Sequence, residues 1–176
     1  MSIVTRTGDD GTTALMYGRR ISKSHPRIAA CGAVDELNAA LGLARAGATQ
    51  PLIGDSLLRI QKELVGLMGE LSTLDEDMPR YIKDGFALIT ADSVERLDQI
   101  AAKLEAEIPP FKDWVMPGAN PASAALDFAR TICRRAERHV CSLETHNPHI
   151  ISYLNRLSDV LWLMARSFET KPCKAE

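Results

Sequence analysis

Ala129-Arg130-Thr131-Ile132-Cys133-Arg134-Arg135-Ala136-Glu137-Arg138 decides how this chain is read, because it sets Arg130, Arg134 and Arg138 four residues apart in a segment of helical character. Residues at i, i+4 and i+8 share nearly one face of an α-helix. Asn120 followed by Pro121 supplies an N-cap and first-turn pair ahead of them, so a helix is expected from there to about Leu143. Three guanidinium groups on one face repel each other, and an anion should compensate. Acidic side chains of another helix would serve. So would a polyanionic ligand such as a nucleoside triphosphate, whose oxygens suit the forked donors of arginine. A solvated face carrying incidental arginines is the third reading.

Outward from this segment the apolar spacing is helical almost throughout. Val34, Leu37, Leu41 and Ala44 mark one helix after a loop ending near Pro26. Leu57, Ile60, Leu64, Leu67, Met68 and Leu71 mark a second, which ends before Asp75-Glu76-Asp77-Met78-Pro79. Val94, Leu97, Ala101, Leu104 and Ile108 mark a third, with Asp92 and Glu95 expected as its capping box and Pro109-Pro110 closing it. A last helix is expected from about His149 to Phe168, with Ile151, Leu154 and Leu161 inside. Alternating β-branched runs are nearly absent, and no internal repeat is visible. The expected class is all-α, a five-helix antiparallel bundle.

The chain has 176 residues, enough for one domain with a substantial core. The division expected is a loop over residues 1–27, a bundle over 28–170 and a tail over 171–176. A formal charge of -2 and a pI of about 6.1 give no basic field to attract nucleic acid or an anionic membrane. No apolar run is long enough to span a bilayer, and Met1-Ser2-Ile3-Val4-Thr5-Arg6 is no signal peptide. Cys31, Cys133, Cys141 and Cys173 have no C-x-x-C spacing, and the first three sit among helical apolar positions as small hydrophobes. A reduced, cytoplasmic protein is expected.

Two non-helical pieces stand apart. Thr5-Arg6-Thr7-Gly8-Asp9-Asp10-Gly11-Thr12-Thr13 precedes every helix. Its glycines and hydroxyls could aim donors at phosphates, with Lys23 adding a point charge, or the segment could be an ordinary turn. It is neither a Walker loop nor an EF-hand. The second piece, Phe111 to Asn120, contains Trp114, which from the residues alone reads as a core anchor. Polar stripes also run inside helices: Asp35, Asn38 and Gly42 on the first, and Asn155, Asp159, Trp162 and Arg166 on the last. Asp35, if buried, needs a cation, and Arg130 is the obvious type, within the chain or across a subunit contact. His25, His139, His146 and His149 read as surface or loop residues. No His/Cys/Asp cluster suggests a protein-held metal, and neither Glu137-Arg138-His139 nor Glu144-Thr145-His146 has the spacing of a di-metal bundle.

Taken in order, the Thr5 to Thr13 segment, Lys23, Gly32-Ala33-Val34-Asp35-Glu36-Leu37-Asn38, Met116-Pro117-Gly118, Ala129 to Arg138 and Tyr153-Leu154-Asn155-Arg156-Leu157-Ser158-Asp159 resemble the PduO-type ATP:cob(I)alamin adenosyltransferases over nearly the whole chain. The resemblance implies a five-helix bundle with an ordered non-helical N-terminal loop, assembled as a homotrimer with sites between subunits. It implies transfer of the 5′-deoxyadenosyl group of ATP to cob(I)alamin, releasing triphosphate, with Mg²⁺ carried in on ATP. Thr5, Arg6, Thr7, Gly8, Thr13 and Ala14 would line the nucleotide. Lys23 would contact phosphates, and Arg134, Arg135, Glu137 and Arg138 with Asn155 would complete the site. Asp35 and Arg130 would form an ion pair between subunits.

The resemblance also implies an apolar ring just before Pro117-Gly118 that displaces the lower axial ligand of the cobalt. Trp114 stands there where the family carries phenylalanine, Phe111 lies three residues earlier, and Ala119 replaces a family glycine. An electron-donating reductase and a cobalamin-dependent acceptor enzyme are implied as partners. The alternative is a non-catalytic ATP- or corrinoid-binding delivery or sensor protein, which the Trp114 departure favours.

Overall fold

The computed structural model describes residues 4, 6–110, 114–143 and 147–169. In chain order the helices are α1 (Pro26–Ala46), α2 (Pro51–Leu71), α3 (Met78–Lys83), α4 (Ala91–Glu107), α5 (Pro121–Cys141) and α6 (His149–Ser167). Proline opens α1, α2 and α5, where a missing N–H costs nothing and the fixed φ suits the first turn. His25 caps α1 by accepting the Arg27 N–H on Nδ1 at 3.1 Å. Asn120 and Ser123 cap α5 reciprocally, at 2.9 and 3.3 Å. The expected Asp92–Glu95 box on α4 is corrected: Thr90 and Ser93 form it two residues earlier. A hydroxyl pair spaced by three satisfies the same two amides, leaving Asp92 as a first-turn charge.

The helical stripes meet in one core. Val34, Leu37 and Leu41 of α1 face Leu57, Leu64 and Leu67 of α2, and Ile132, Cys133 and Ala136 of α5 lie in the same cluster with Leu154, Leu157 and Leu161 of α6. Each leucine so buried contributes about 1.5–3 kcal/mol of transfer free energy. Helix α1 packs on α2 and α5, α5 on α6, and α6 on α4. The ring closes where Arg96 of α4 pairs with Glu63 of α2, which also accepts the buried Tyr153 hydroxyl of α6 at 2.8 Å.

Consecutive long helices run antiparallel. Arg27 at the start of α1 donates to the carbonyl of Leu71 at the end of α2, at 3.0 Å. The expectation of an antiparallel bundle needs one correction, since α4 and α6 run parallel: Asn147 meets Ile89 before their first turns, and Arg156 pairs with Asp98 a turn or two in. Two helices that are not consecutive need no reversal between them.

The all-α expectation is corrected as well. The N-terminal segment holds an antiparallel pair, β1 (Thr12–Ala14) and β2 (Arg20–Ser22), in the register Thr12 with Ser22 and Ala14 with Arg20. Strands of three residues are too short to leave an alternation in the sequence. The sixth helix, α3, went unseen because six residues cover too few turns for a periodic stripe. Among the described residues no helix is long and apolar enough to cross a membrane.

Candidate nucleotide site

The β1–β2 hairpin is fastened to the end of the bundle where α2 stops. Met16 N–H donates to the Ser72 carbonyl at 2.9 Å. Between the strands Tyr17 takes a left-handed backbone, φ +61, and its hydroxyl donates to Asp84 at 3.0 Å while the Arg80 guanidinium lies 4.1 Å from its ring centre. Arg19 adds ion pairs with Asp77 and Glu76, each at 2.9 Å. Contacts of this kind are individually weak at a surface. Together they set the direction in which the chain before β1 emerges.

That preceding chain curls tightly. Arg6 has φ +58 and Gly11 φ +80, Gly11 N–H donates to the Gly8 carbonyl at 3.2 Å, and Lys23 N–H donates to the Gly11 carbonyl at 2.9 Å. The curl carries Lys23 onto Gly8: a Cβ built on Gly8 would lie 2.9 Å from the Lys23 ammonium nitrogen. Asp10 accepts both the amide and the hydroxyl of Thr12, at 2.9 and 2.8 Å. Those bonds, with Arg20 adding to them, hold its carboxyl below the usual range. Thr13 is half-buried on β1, and Ala14 and Lys23 are exposed. Thr5 lies outside the described residues.

The arginine face of α5 lies at the same end of the bundle. Helix α5 runs antiparallel to α1, so its last turns pass the first half of α1, and Arg135 pairs with Glu36 at the middle of α1. Arg134 and Arg138 are exposed, and Arg138 Nη1 donates to the Arg134 carbonyl at 3.0 Å. Among the described residues neither has a carboxylate partner in the chain. Glu137 is half-buried, and Asn155 is exposed on α6. No hydrogen bond or ion pair among the described residues joins the hairpin to Arg134 or Arg138, so the chain brings the two to one end without closing them on each other.

Asp35 and Arg130 do not meet within the chain, and the expectations for Trp114 and Cys141 are corrected. Asp35 is exposed and has no ionic partner in the chain among the described residues, because its place on α1 turns away from the buried Val34 and Leu37. Arg130 instead donates to Asp127 on its own helix at 3.4 Å. Trp114 is 91% exposed and is no core anchor; it lies on the segment ahead of α5, at the opposite end of that helix from Arg134 and Arg138. Cys141 is exposed as well, since the α5 stripe ends at Val140, while Cys133 is buried and its thiol is pushed up by that burial. Phe111, Glu144, Thr145, His146, Cys173 and residues 171–176 lie outside the described residues.

Several polar pairings escaped the reading of the sequence. Arg166 is fully buried, paired with Asp127 and with Glu169 at 3.0 Å. Glu70, 5% exposed, accepts from the Asn147 amide at 2.7 Å and from Ile89 N–H at 3.2 Å, and burial raises its carboxyl above the usual range. It lines a cavity of about 490 Å³ between the end of α2, α3 and the starts of α4 and α6. An apolar depression of about 560 Å³ between the end of α1 and the start of α5 exposes Leu43 and Phe128. Arg166 stood on the polar stripe read in the last helix, and Asp127 is an acid three residues before Arg130 on an otherwise apolar stretch; it is their pairing that the sequence did not mark. Among the described residues no group of three or more His, Cys, Asp or Glu is arranged to hold a metal ion.

Comparison with known proteins adds to this geometry. The cobalamin adenosyltransferase family profile matches residues 3–168. The corrinoid adenosyltransferase PduO of Citrobacter freundii is 40% identical over 173 residues, 95% of this chain and 50% of the relative, so the chain spans about half that protein's length. A second Citrobacter freundii protein, a corrinoid adenosyltransferase, is 40% identical over 97% of this chain and 96% of its own. Among solved structures, a variant PduO-type ATP:corrinoid adenosyltransferase from Lactobacillus reuteri, complexed with cobalamin and ATP, superposes with a TM-score of 0.85 at 30% identity, covering 94% of this chain and 89% of that one.

Proposed function

The chain belongs to the cobalamin adenosyltransferase family, and from that footing we propose that it transfers the 5′-deoxyadenosyl group of ATP to the cobalt of cob(I)alamin. The Co–C5′ bond forms as the C5′–O bond breaks, and the electron pair of that bond leaves on triphosphate. The reduced cobalt is the nucleophile, so no side chain needs to attack. The protein's task is to orient the two substrates and to stabilise the charge that grows on the leaving oxygen.

Lys23 folded over the Gly8 turn, at the bundle end where Arg134 and Arg138 emerge without carboxylate partners among the described residues, is the observation that carries this reading. Cations left unpaired and backbone held in a tight curl suit a triphosphate, whose oxygens would satisfy both. In the proposed site Thr5, Arg6, Thr7, Gly8, Thr13 and Ala14 line the nucleotide and Lys23 meets its phosphates. Arg134, Arg138 and Asn155 approach from the helical side, with Arg135 and Glu137 beside them. Mg²⁺ arrives on ATP. The gap between hairpin and α5 is closed by assembly: a homotrimer in which Asp35 of one subunit pairs with Arg130 of the next. Asp35, without an ionic partner among the described residues, and the apolar depression at Leu43 and Phe128, on the same two helices, support such a contact. Trp114 then covers the lower face of the corrinoid. The proposed setting is cytoplasmic, with a reductase supplying cob(I)alamin and a cobalamin-dependent enzyme accepting the product.

The exposure of Trp114, a bulkier ring than the family's phenylalanine, favours one second reading, a delivery or sensor protein that holds ATP or a corrinoid without turnover. Incubation with Mg²⁺-ATP and chemically reduced cobalamin separates the two. The adenosyl-transfer reading expects the absorption spectrum of adenosylcobalamin to develop. ATP binding without product would establish the binding protein instead.

A further inference from the structure

Arg20 holds the nucleotide loop from across the hairpin. Its Nη2 donates to the Thr7 carbonyl at 2.6 Å, to Asp10 Oδ1 at 3.3 Å and to the Thr12 hydroxyl, and its Nε donates to the same hydroxyl at 3.0 Å. One planar guanidinium therefore ties together residues 7, 10 and 12. Only a fork of fixed donors can do this, since the ammonium of lysine is a compact point charge.

Two consequences bear on a triphosphate. Asp10 is a carboxylate in the middle of a loop proposed to receive anions, and Arg20 together with Thr12 engages its Oδ1 and offsets its charge. The tie also sets the peptide plane between residues 7 and 8. A trans peptide directs its C=O and N–H to opposite sides, so aiming the Thr7 carbonyl at Arg20 aims the Gly8 N–H away from it. Among the described residues that amide has no acceptor. Gly8 is also the residue on which Lys23 rests.

We propose that Arg20 is a positioning residue for ATP: it touches no phosphate, and it holds the loop so that the Gly8 amide and the Lys23 ammonium face the triphosphate. The inference rests on the adenosyl-transfer reading of the site. Calorimetry with Mg²⁺-ATP and steady-state kinetics test it on Arg20→Met and Arg20→Lys. Arg20→Met is expected to raise the Kd and KM for ATP by about ten-fold or more. Its kcat at saturating ATP and its KM for cob(I)alamin stay within about two-fold. Arg20→Lys keeps the charge without the fork and is expected to recover less than half of the lost affinity; full recovery would show that charge alone suffices and overturn the positioning role. A fall in kcat with KM for ATP unchanged would overturn it too, since that pattern belongs to a group acting on the transition state. If the native chain binds ATP and Arg20→Met binds it equally well, this inference fails alone. If the native chain binds no ATP, the reading of the site fails with it. Should Arg20→Met lose its helical circular dichroism, Arg20→Lys carries the same test.

Discussion

Lys23 rests on Gly8, with its Cε 3.1 Å and its ammonium nitrogen 2.9 Å from where a Cβ at residue 8 would stand. A methyl group there would press on the Thr12 carbonyl oxygen, 3.1 Å away, which must give by a few tenths of an ångström, and would meet the far end of a flexible side chain, which can swing aside. It cannot swing aside without removing its charge from the loop. Gly8→Ala is therefore expected to weaken ATP binding by about ten-fold while the melting temperature moves by no more than about 2 °C. Calorimetric titration beside a thermal melt reads both. An unchanged Kd would mean that the ammonium does its work elsewhere.

Arg134 is exposed and has no carboxylate partner in the chain among the described residues, so truncating it should not disturb the bundle. If it lies near the leaving triphosphate, the loss appears in catalysis. Arg134→Ala is expected to lower kcat/KM by at least about ten-fold, some 1.4 kcal/mol of transition-state stabilisation. Kinetics within two-fold of native would reject that role.

Asp35 and Arg130 are assigned to each other across a subunit contact, and the single chain makes their variants behave differently. Among the described residues Asp35 has no ionic partner to lose, whereas Arg130 also holds Asp127 at 3.4 Å. Asp35→Ala should shift sedimentation from trimer toward smaller species and reduce turnover, with helical content preserved. Arg130→Ala should do the same and also lower thermal stability, because the buried Asp127 then keeps, among the described residues, Arg166 alone to offset it. A trimer that survives Asp35→Ala undiminished would place this carboxylate in another role.

The long helices were legible because a 3.6-residue period repeats several times in each: Val34, Leu37 and Leu41 on α1, or Leu57, Ile60 and Leu64 on α2, are buried as their spacing required. The hairpin and α3 were not, since each is shorter than the period needed to recognise it. The Gly8–Lys23 approach was half legible, as a glycine-rich loop with a lysine downstream, but the fold of β1 onto β2 that joins them lies in backbone pairing. Arg20, Glu70 and the partner of Arg166 were illegible for a different reason. A buried or bridging charge is defined by its partner, and Asp127, Asn147 and Thr7 are distant in sequence or bear no mark of the pairing. Trp114 shows the opposite failure, where a large ring read as core proves exposed because the segment carrying it lies ahead of the α5 cap.

Glu70 should make stability depend on pH in an unusual direction. Burial raises its carboxyl above the ordinary value of 4.5, so within the interval between that value and the raised one the folded chain binds more protons than the unfolded chain. Stability then falls as pH rises through the interval, the reverse of a salt-bridged carboxylate. Below the interval the contribution is fully present; above it, the buried charge is supported by hydrogen bonds from Asn147 and Ile89, with His149 close by. Glu70→Gln cannot titrate and loses one acceptor, a cost of about 1–3 kcal/mol that is independent of pH. Urea denaturation of both proteins from about pH 4 to pH 7 should therefore show the native advantage shrinking as pH increases. A difference that stays level, or widens toward neutral pH, would mean that Glu70 is ionised in the folded chain as readily as in the unfolded one.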